Sequence, residues 1–272
     1  MNRALEICLN KYLLNSPGLV GYVHSKFAHA VNLCFGRYLV TVHKEDIPGL
    51  PDDIVVDEEV FRRIEVFSND SSVVLKRGWL YFQEGNFLVS LSDSRLRDAS
   101  IKGSCNVYKP DLIAVLKPYT MESGLVRIDV AHREKVFSAL RQLACSKCKK
   151  EFLQNLIEVS GYGVGLTPSS DDAALGIVAA SYSGLIDKIE LPSAMEVYAG
   201  LKDRTTAVSN KYLCCAVENR FSQPLIQFLS EKSKQRYTKD AAIQIAKIGA
   251  TSGRDTLAGM MIAIKASEIA LI

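Results

Sequence analysis

Three segments in the C-terminal half carry residue types suited to gripping a small ligand. The first runs from Gly161 through Gly163, Gly165, Thr167, Pro168, Ser169 and Ser170 to Asp171 and Asp172, and leads into an apolar helix face. The second, Arg204-Thr205-Thr206-Ala-Val-Ser209, also opens a helix. The third, Gly249-Ala-Thr251-Ser252-Gly253-Arg254-Asp255, opens the last helix. Glycines reach positive φ and admit close backbone approach. Thr167 is a good N-cap, and Pro168 suits the first helical position. The first-turn N–H groups and the positive end of a helix dipole attract phosphate or carboxylate. Asp171 and Asp172 could hold Mg²⁺, orient a ligand nitrogen, or only favour the dipole.

The third segment echoes the first. Asp172 to Gly176 and Asp255 to Gly259 have the same spacing. Glycine inside a helix costs about 1 kcal/mol against alanine, so both predict a close helix crossing or close approach to a ligand. Arg254 adds a planar cation suited to bidentate contact with an anion. Ordinary capping also asks for Ser, Thr, Asp and Gly at helix starts. Two echoing loops, one with three alternating glycines and a double aspartate, point instead to anion or small-ligand binding.

Other site chemistries are weaker. The standard phosphate loop G-x-x-x-x-G-K-[ST] does not occur, and Gly161-x-Gly163-x-Gly165 does not continue as the dinucleotide fingerprint. His24, His29, His43 and His132 lack metal-ligand spacing. The stretch Tyr22–Phe27 places His24, Ser25 and Lys26 beside Gly21. It reads either as a catalytic segment or as a solvated strand edge. Cys145-x-x-Cys148 has no second pair to complete a zinc site, and the adjacent Cys214 and Cys215 read as small buried hydrophobes. No metal site is expected.

The positioning elements change character along the chain. Candidate strands are Tyr38–Val42, Val60–Phe67, Ser72–Lys76, Leu80–Gln83 and Phe87–Leu91, with residues 47–53 as a loop. Helical periodicity follows at Ala131–Cys145 and Lys149–Val159, and along Leu175, Val178, Tyr182 and Leu185. It returns along Val208, Tyr212 and Cys215, after Pro224, over Asp240–Ile248 and over Asp255–Ile272. This predicts an α+β fold, with a β-rich N-terminal half packed against a mostly α-helical C-terminal half. The domains are placed at 1–110 and 111–272. The site should lie where the two Gly/Thr/Ser loops converge, roofed by the His24 segment.

The chain has 272 residues, 48% hydrophobic and 23% charged, which excludes disorder as its main state. Its 33 basic against 30 acidic residues leave +3, which argues against nucleic acid or a membrane surface as partner. No uncharged apolar run reaches spanning length, the N-terminus lacks signal-peptide features, and the odd, irregular cysteines suit a reducing compartment. A cytoplasmic location is expected.

The composite motif G-x-G-x-G-L-T-P-S-[GS]-D-D, then T-T-x-x-S, then G-x-T-S-G-x-D-x-L-x-G, resembles a particular family. It is the one that includes AllH, the oxamate carbamoyltransferase subunit of anaerobic allantoin degradation. The stretch from Val23 to Asn32 is similar too. The resemblance spans most of the chain and is strongest over 158–262. Ser170 stands where the family usually has glycine.

The resemblance implies transfer of a carbamoyl group between carbamoyl phosphate and oxamate, with partner subunits. The helix starts at Thr167–Ser170 and Thr251–Gly253, with Arg254, would then cradle phosphate and polarise the carbamoyl carbonyl. Asp171 or Asp172 would orient the attacking amide nitrogen. The catalytic candidates are therefore Asp171, Asp172, Asp255 and His24. The ligand-binding candidates are Gly163, Gly165, Thr167, Ser169, Ser170, Thr205, Thr206, Ser209, Thr251, Ser252, Gly253 and Arg254. No cofactor is expected, Mg²⁺ being the one ion the double aspartate could hold. Two other classes compete: a non-catalytic small-anion-binding or scaffold subunit, and a small-molecule phosphotransferase. The latter rests on a superficial likeness to the galactokinase and homoserine kinase loop, which Thr167-Pro168 and Asp171-Asp172 break.

Overall fold

Short runs of β-branched and aromatic residues, interrupted every few positions by Gly, Asn or Asp, fold the first third of the chain into a curled sheet. The computed structural model describes residues 2–103, 109–229 and 235–269. The chain divides into two units, Met1–Ala99 and Ser100–Ile272.

The first unit contains β1 (Glu6–Cys8), α1 (Lys11–Leu14), β2 (Leu19–Lys26), β3 (Ala30–Phe35), β4 (Tyr38–Lys44), β5 (Asp53–Val56), α2 (Glu58–Glu65), β6 (Ser72–Lys76), β7 (Trp79–Phe82), β8 (Phe87–Ser90) and β9 (Arg95–Leu96). The sheet order is β8-β7-β6-β2-β3-β4-β5-β1-β9. Ala4 donates to the Ser90 carbonyl, and Ser90 donates to the Asn2 carbonyl. These bonds join β8 to the segment before β1 and leave neither strand with a bare edge there. Alternate residues such as Val23, Leu33, Val40, Val42, Leu80, Phe82 and Val89 point inward and are buried.

Two expectations need correction. Residues 60–67 were expected as a strand, but Glu58–Glu65 is a helix. Asp57 caps it by accepting from Val60 N at 2.8 Å, and Val60, Phe61 and Ile64 share its buried face. Glu58 and Glu59 at its start, with Arg62 and Arg63 at its end, match the dipole. The β-branched content of 60–67 hid a three- and four-residue period. The stretch around His24 is also no sheet edge. β2 lies between β6 and β3, and the register slips between Val23 and Ser25, so His24 sits at a bulge.

A charged cluster lies under this sheet. Arg97 donates through Nε to Glu6 Oε1 at 2.6 Å and through Nη2 to both Asp53 oxygens at 2.7 Å. Asp53 Oδ2 also accepts from Leu50 N at 2.6 Å and meets His43 Nε2 at 2.9 Å. Gly49 covers the guanidinium: a Cβ there would lie 2.5 Å from Arg97 Cζ.

The second unit is helical. Its elements are α3 (Lys109–Met121), a 3₁₀ turn (Gly124–Arg127), α4 (Val130–Ala144), α5 (Lys149–Val159), α6 (Ser169–Tyr182), α7 (Ala194–Leu201), α8 (Ala207–Val217), α9 (Gln223–Phe228), α10 (Gln235–Ala246) and α11 (Ser252–Ile269). The expected α4 and α5 stand within a residue of their predicted bounds, whereas α10 begins five residues earlier and α11 three. The last expected residues, 270–272, lie outside the described ones. α3 and α7 were not expected. α7 opens with a capping box between Ser193 and Glu196.

The centre of this unit is the crossing of α6 and α11, both buried along most of their length. A Cβ on Gly176 would lie 2.0 Å from the Thr256 carbonyl oxygen, and one on Gly259 would lie 1.9 Å from that of Ala173. The contact is reciprocal: each glycine presses on the residue that follows the other helix's aspartate. Among the described residues no helix is long and apolar enough to cross a membrane.

Candidate functional site

The α6–α11 crossing carries Asp172 and Asp255 to one place, because each is the fourth residue of its helix. Asp172 is 5% exposed and Asp255 is fully buried. Asp255 Oδ1 accepts from the Ser123 hydroxyl and from Gly124 N at 2.6 Å. The Thr167 and Ser252 hydroxyls lie against the Asp172 carboxyl. Yet Oδ2 of Asp172 and Oδ2 of Asp255 are both buried without a hydrogen-bond partner. Burial pushes the Asp172 carboxyl well above its ordinary value. The Thr167 and Ser252 hydroxyls work against that shift, while the charges of Asp255 and Asp171 add to it.

Three polar atoms converge on Gly124. A Cβ there would lie 2.2 Å from Ser169 Oγ, 3.0 Å from Thr251 Oγ1 and 3.2 Å from Asp255 Oδ2. Sequence reasoning missed Ser123-Gly124. Their only local signal was a small Ser-Gly pair after a helix, a plain turn signal, and their partner Asp255 lies 132 residues away.

Asp171 plays a different part from Asp172. Its Oδ1 accepts from Gly161 N at 2.8 Å and from Ser170 Oγ at 3.3 Å. Its Oδ2 accepts from the Thr205 hydroxyl and from Ser209 Oγ at 2.6 Å. Burial raises its carboxyl, and these four hydrogen bonds oppose the rise. Both oxygens are used, so Asp171 staples the glycine turn to the start of α8.

The second segment serves the same staple. Thr206 caps α8, accepting from Ser209 N at 3.0 Å and donating to the Leu166 carbonyl. Ser170 Oγ receives Tyr162 N at 2.9 Å, and Ser170 N donates to the Tyr162 carbonyl at 3.0 Å. Gly161 and Gly163 are needed by this geometry. Both have positive φ, and a Cβ would lie 2.3 Å from the Arg204 carbonyl oxygen and 2.4 Å from Ser169 N respectively. Gly165 also has positive φ but faces open space. Pro168, not Thr167, is the N-cap of α6; the residue before a proline is steered out of the helical region, and the Thr167 hydroxyl turns to Asp172 instead.

The remaining candidates are placed as follows. Gly253 N donates to the Ile248 carbonyl at 3.0 Å, and a Cβ on Gly253 would lie 1.7 Å from the Ile245 carbonyl oxygen, so this glycine seats α11 on α10. Arg254 pairs with Glu122 at 3.0 Å and donates to the Ala250 carbonyl at 2.7 Å. His24, in the first unit, lies 3.1 Å from Ser25 Oγ through Nδ1. Among the described residues no three His, Cys, Asp or Glu side chains gather as a metal centre would need.

A pH dependence follows. The Asp172 carboxyl holds its proton to higher pH in the folded protein than in the unfolded chain, whose value is near 3.8. As pH rises above that point the unfolded state sheds its proton first, so this group's contribution to stability falls. The thermal midpoint of Asp172→Asn is therefore expected to gain on that of the parent protein as pH goes from 4 to 7. A gap that stays constant over this range contradicts the assignment.

A curled sheet followed by a helical unit, whose two central helices begin among clustered hydroxyls and carboxyls, defines an α+β protein with a buried polar cluster. Residues 159–264 match the family described as the oxamate carbamoyltransferase subunit AllH, and residues 3–96 match the AllH family N-terminal domain. The chain belongs to the AllH family. The first of these matches contains all three glycine- and hydroxyl-rich segments. No solved structure matches the chain.

Proposed function

We propose that this protein is a carbamoyltransferase subunit that binds a small acid at the N-terminal turns of α6 and α11. The reaction is carbamoyl transfer between carbamoyl phosphate and oxamate. The oxamate nitrogen forms the new N–C bond as the carbamoyl C–O bond to phosphate breaks, and that nitrogen gives up a proton. Family membership supports the reaction class. The observation that carries the site is the meeting of two helix starts around Gly124, with the Ser169 and Thr251 hydroxyls facing it. Helix N-termini supply N–H donors and a positive field for a carboxylate or phosphate. The matching family is described as a subunit, which supports a chain that works inside a complex. A cytoplasmic location belongs to the same proposal.

Thermal unfolding against phosphate, carbamoyl phosphate, oxamate, oxalurate and ATP, each with and without Mg²⁺, tests this reading. A ligand at 100 times its Kd adds about 2.7 kcal/mol, or roughly 5–10 °C in midpoint for a chain of this size. The expected result is a shift with carbamoyl phosphate or oxalurate and none with ATP. A shift with Mg-ATP alone would replace the proposal with phosphoryl transfer.

A further inference from the structure

We propose that Asp172 Oδ2 and Asp255 Oδ2 together receive the unsubstituted –NH₂ of the ligand, one N–H to each oxygen. This rests on the function proposed above and assigns the two residues that position the nitrogen of its substrate.

The starting point is two unpartnered acceptors in a buried place. A buried polar atom left without a partner is costly, and nearly all such atoms in folded proteins are satisfied. Two such atoms on crossing helices, each on the fourth residue from its helix start, call for N–H donors between them. Asp255 is held for this purpose: Ser123 and Gly124 bind its Oδ1 and leave the buried Oδ2 without a partner. Asp171 is excluded, since both its oxygens are already occupied.

The charge of the occupant follows from the helices. The positive ends of α6 and α11 both point here, which opposes a metal ion or an ammonium group. Two carboxyl oxygens oppose an anion at the same spot. A neutral –NH₂ offers two N–H donors and meets neither objection. An acid attached to it can extend toward the Ser169 and Thr251 hydroxyls. Accepting an N–H favours the ionised carboxyl, so the bound ligand works against the upward shift that burial gives Asp172.

The test compares oxamate, oxalate and N,N-dimethyloxamate by calorimetric titration of the full chain, with its partner subunits present, in the parent protein and in Asp172→Asn and Asp255→Asn. Asparagine keeps the Oδ1 acceptor and removes one of two opposed buried charges. The expected result is oxamate binding roughly tenfold to a hundredfold tighter than either analogue, the range for lost charge-assisted hydrogen bonds. Each variant should lose a similar factor for oxamate while its unliganded thermal midpoint rises. A purely structural pair would instead lose midpoint. Equal binding of all three probes, or variants that bind oxamate like the parent, overturns the inference and leaves the binding function standing. Mg²⁺ binding by the parent alone, lost in both variants, overturns it in favour of a cation site. If neither oxamate nor carbamoyl phosphate binds the assembled complex, the proposed function fails and the inference fails with it.

Discussion

Replacing Gly259 by alanine is expected to destabilise the helical unit by about 3 kcal/mol or more, at the upper end of what overpacking costs. The new methyl would sit 1.9 Å from the Ala173 carbonyl oxygen and within 2.7 Å of two further Ala173 backbone atoms. A side chain could rotate away, but a helix backbone cannot. The roughly 1 kcal/mol that alanine normally gains over glycine in a helix is far too small to offset this. Gly176→Ala should behave alike, against the Thr256 carbonyl oxygen at 2.0 Å. At about 2–4 °C per kcal/mol, the midpoint should fall by roughly 6–12 °C. Ligand binding should weaken in step, because Asp172 and Asp255 lie one turn before these glycines. Gly165→Ala is the control: its Cβ meets nothing, so only the positive φ penalises it, by about 1–2 kcal/mol. A Gly259→Ala protein as stable as the parent would mean that α6 and α11 do not cross this way.

The second large effect is expected in the first unit. Asp53→Ala should cost about 3–5 kcal/mol, the usual penalty for removing one partner of a buried ion pair. Asp53 is fully buried and binds Arg97, His43 and Leu50 N. Without it, Arg97 keeps only Glu6 and the Leu50 carbonyl, while its Nη1 already lacks a partner. Denaturant unfolding of Asp53→Ala, Arg97→Met and the double variant gives the coupling. The double variant should lose clearly less than the sum of the singles, since the charge stranded by the first change is removed by the second. By contrast, Arg95 is 80% exposed in its pair with Glu6, and Arg95→Ala should change stability by less than about 1 kcal/mol. Strict additivity across Asp53 and Arg97 would count against the network.

Much of the helical unit can be read from local pattern, because helical periods and caps are local. Gly176 and Gly259 announce a close crossing by their spacing from an aspartate. The strands β4, β6, β7 and β8 follow from alternation and turn residues. What escapes is non-local or mixed in signal. The return of β8 to Asn2–Ala4 joins residues far apart in the chain and has no motif. The helix at Glu58–Glu65 is hidden by β-branched and aromatic residues, although Asp57 and the charge order at its ends mark it. Within the site, the three segments are found by composition, but their division of labour is not. Asp171 and Asp172 are adjacent and chemically identical; only the fold gives one four donors and leaves the other with an unused oxygen. Ser123 and Gly124 become visible only once α11 is in place.

The reciprocal glycine contacts also determine what sets the spacing of the two site carboxyls. One turn beyond Asp172 and Asp255, each helix meets the other through a glycine whose nearest neighbours across the crossing are main-chain atoms. The separation is therefore a main-chain ruler. Exchanging Ile177, Met260 or Ile264 for residues of similar volume would soften or stiffen the surrounding core without recalibrating that ruler. The core around the site is thus open to sequence drift, while the gauge of the site is held by two positions at which any side chain is too large.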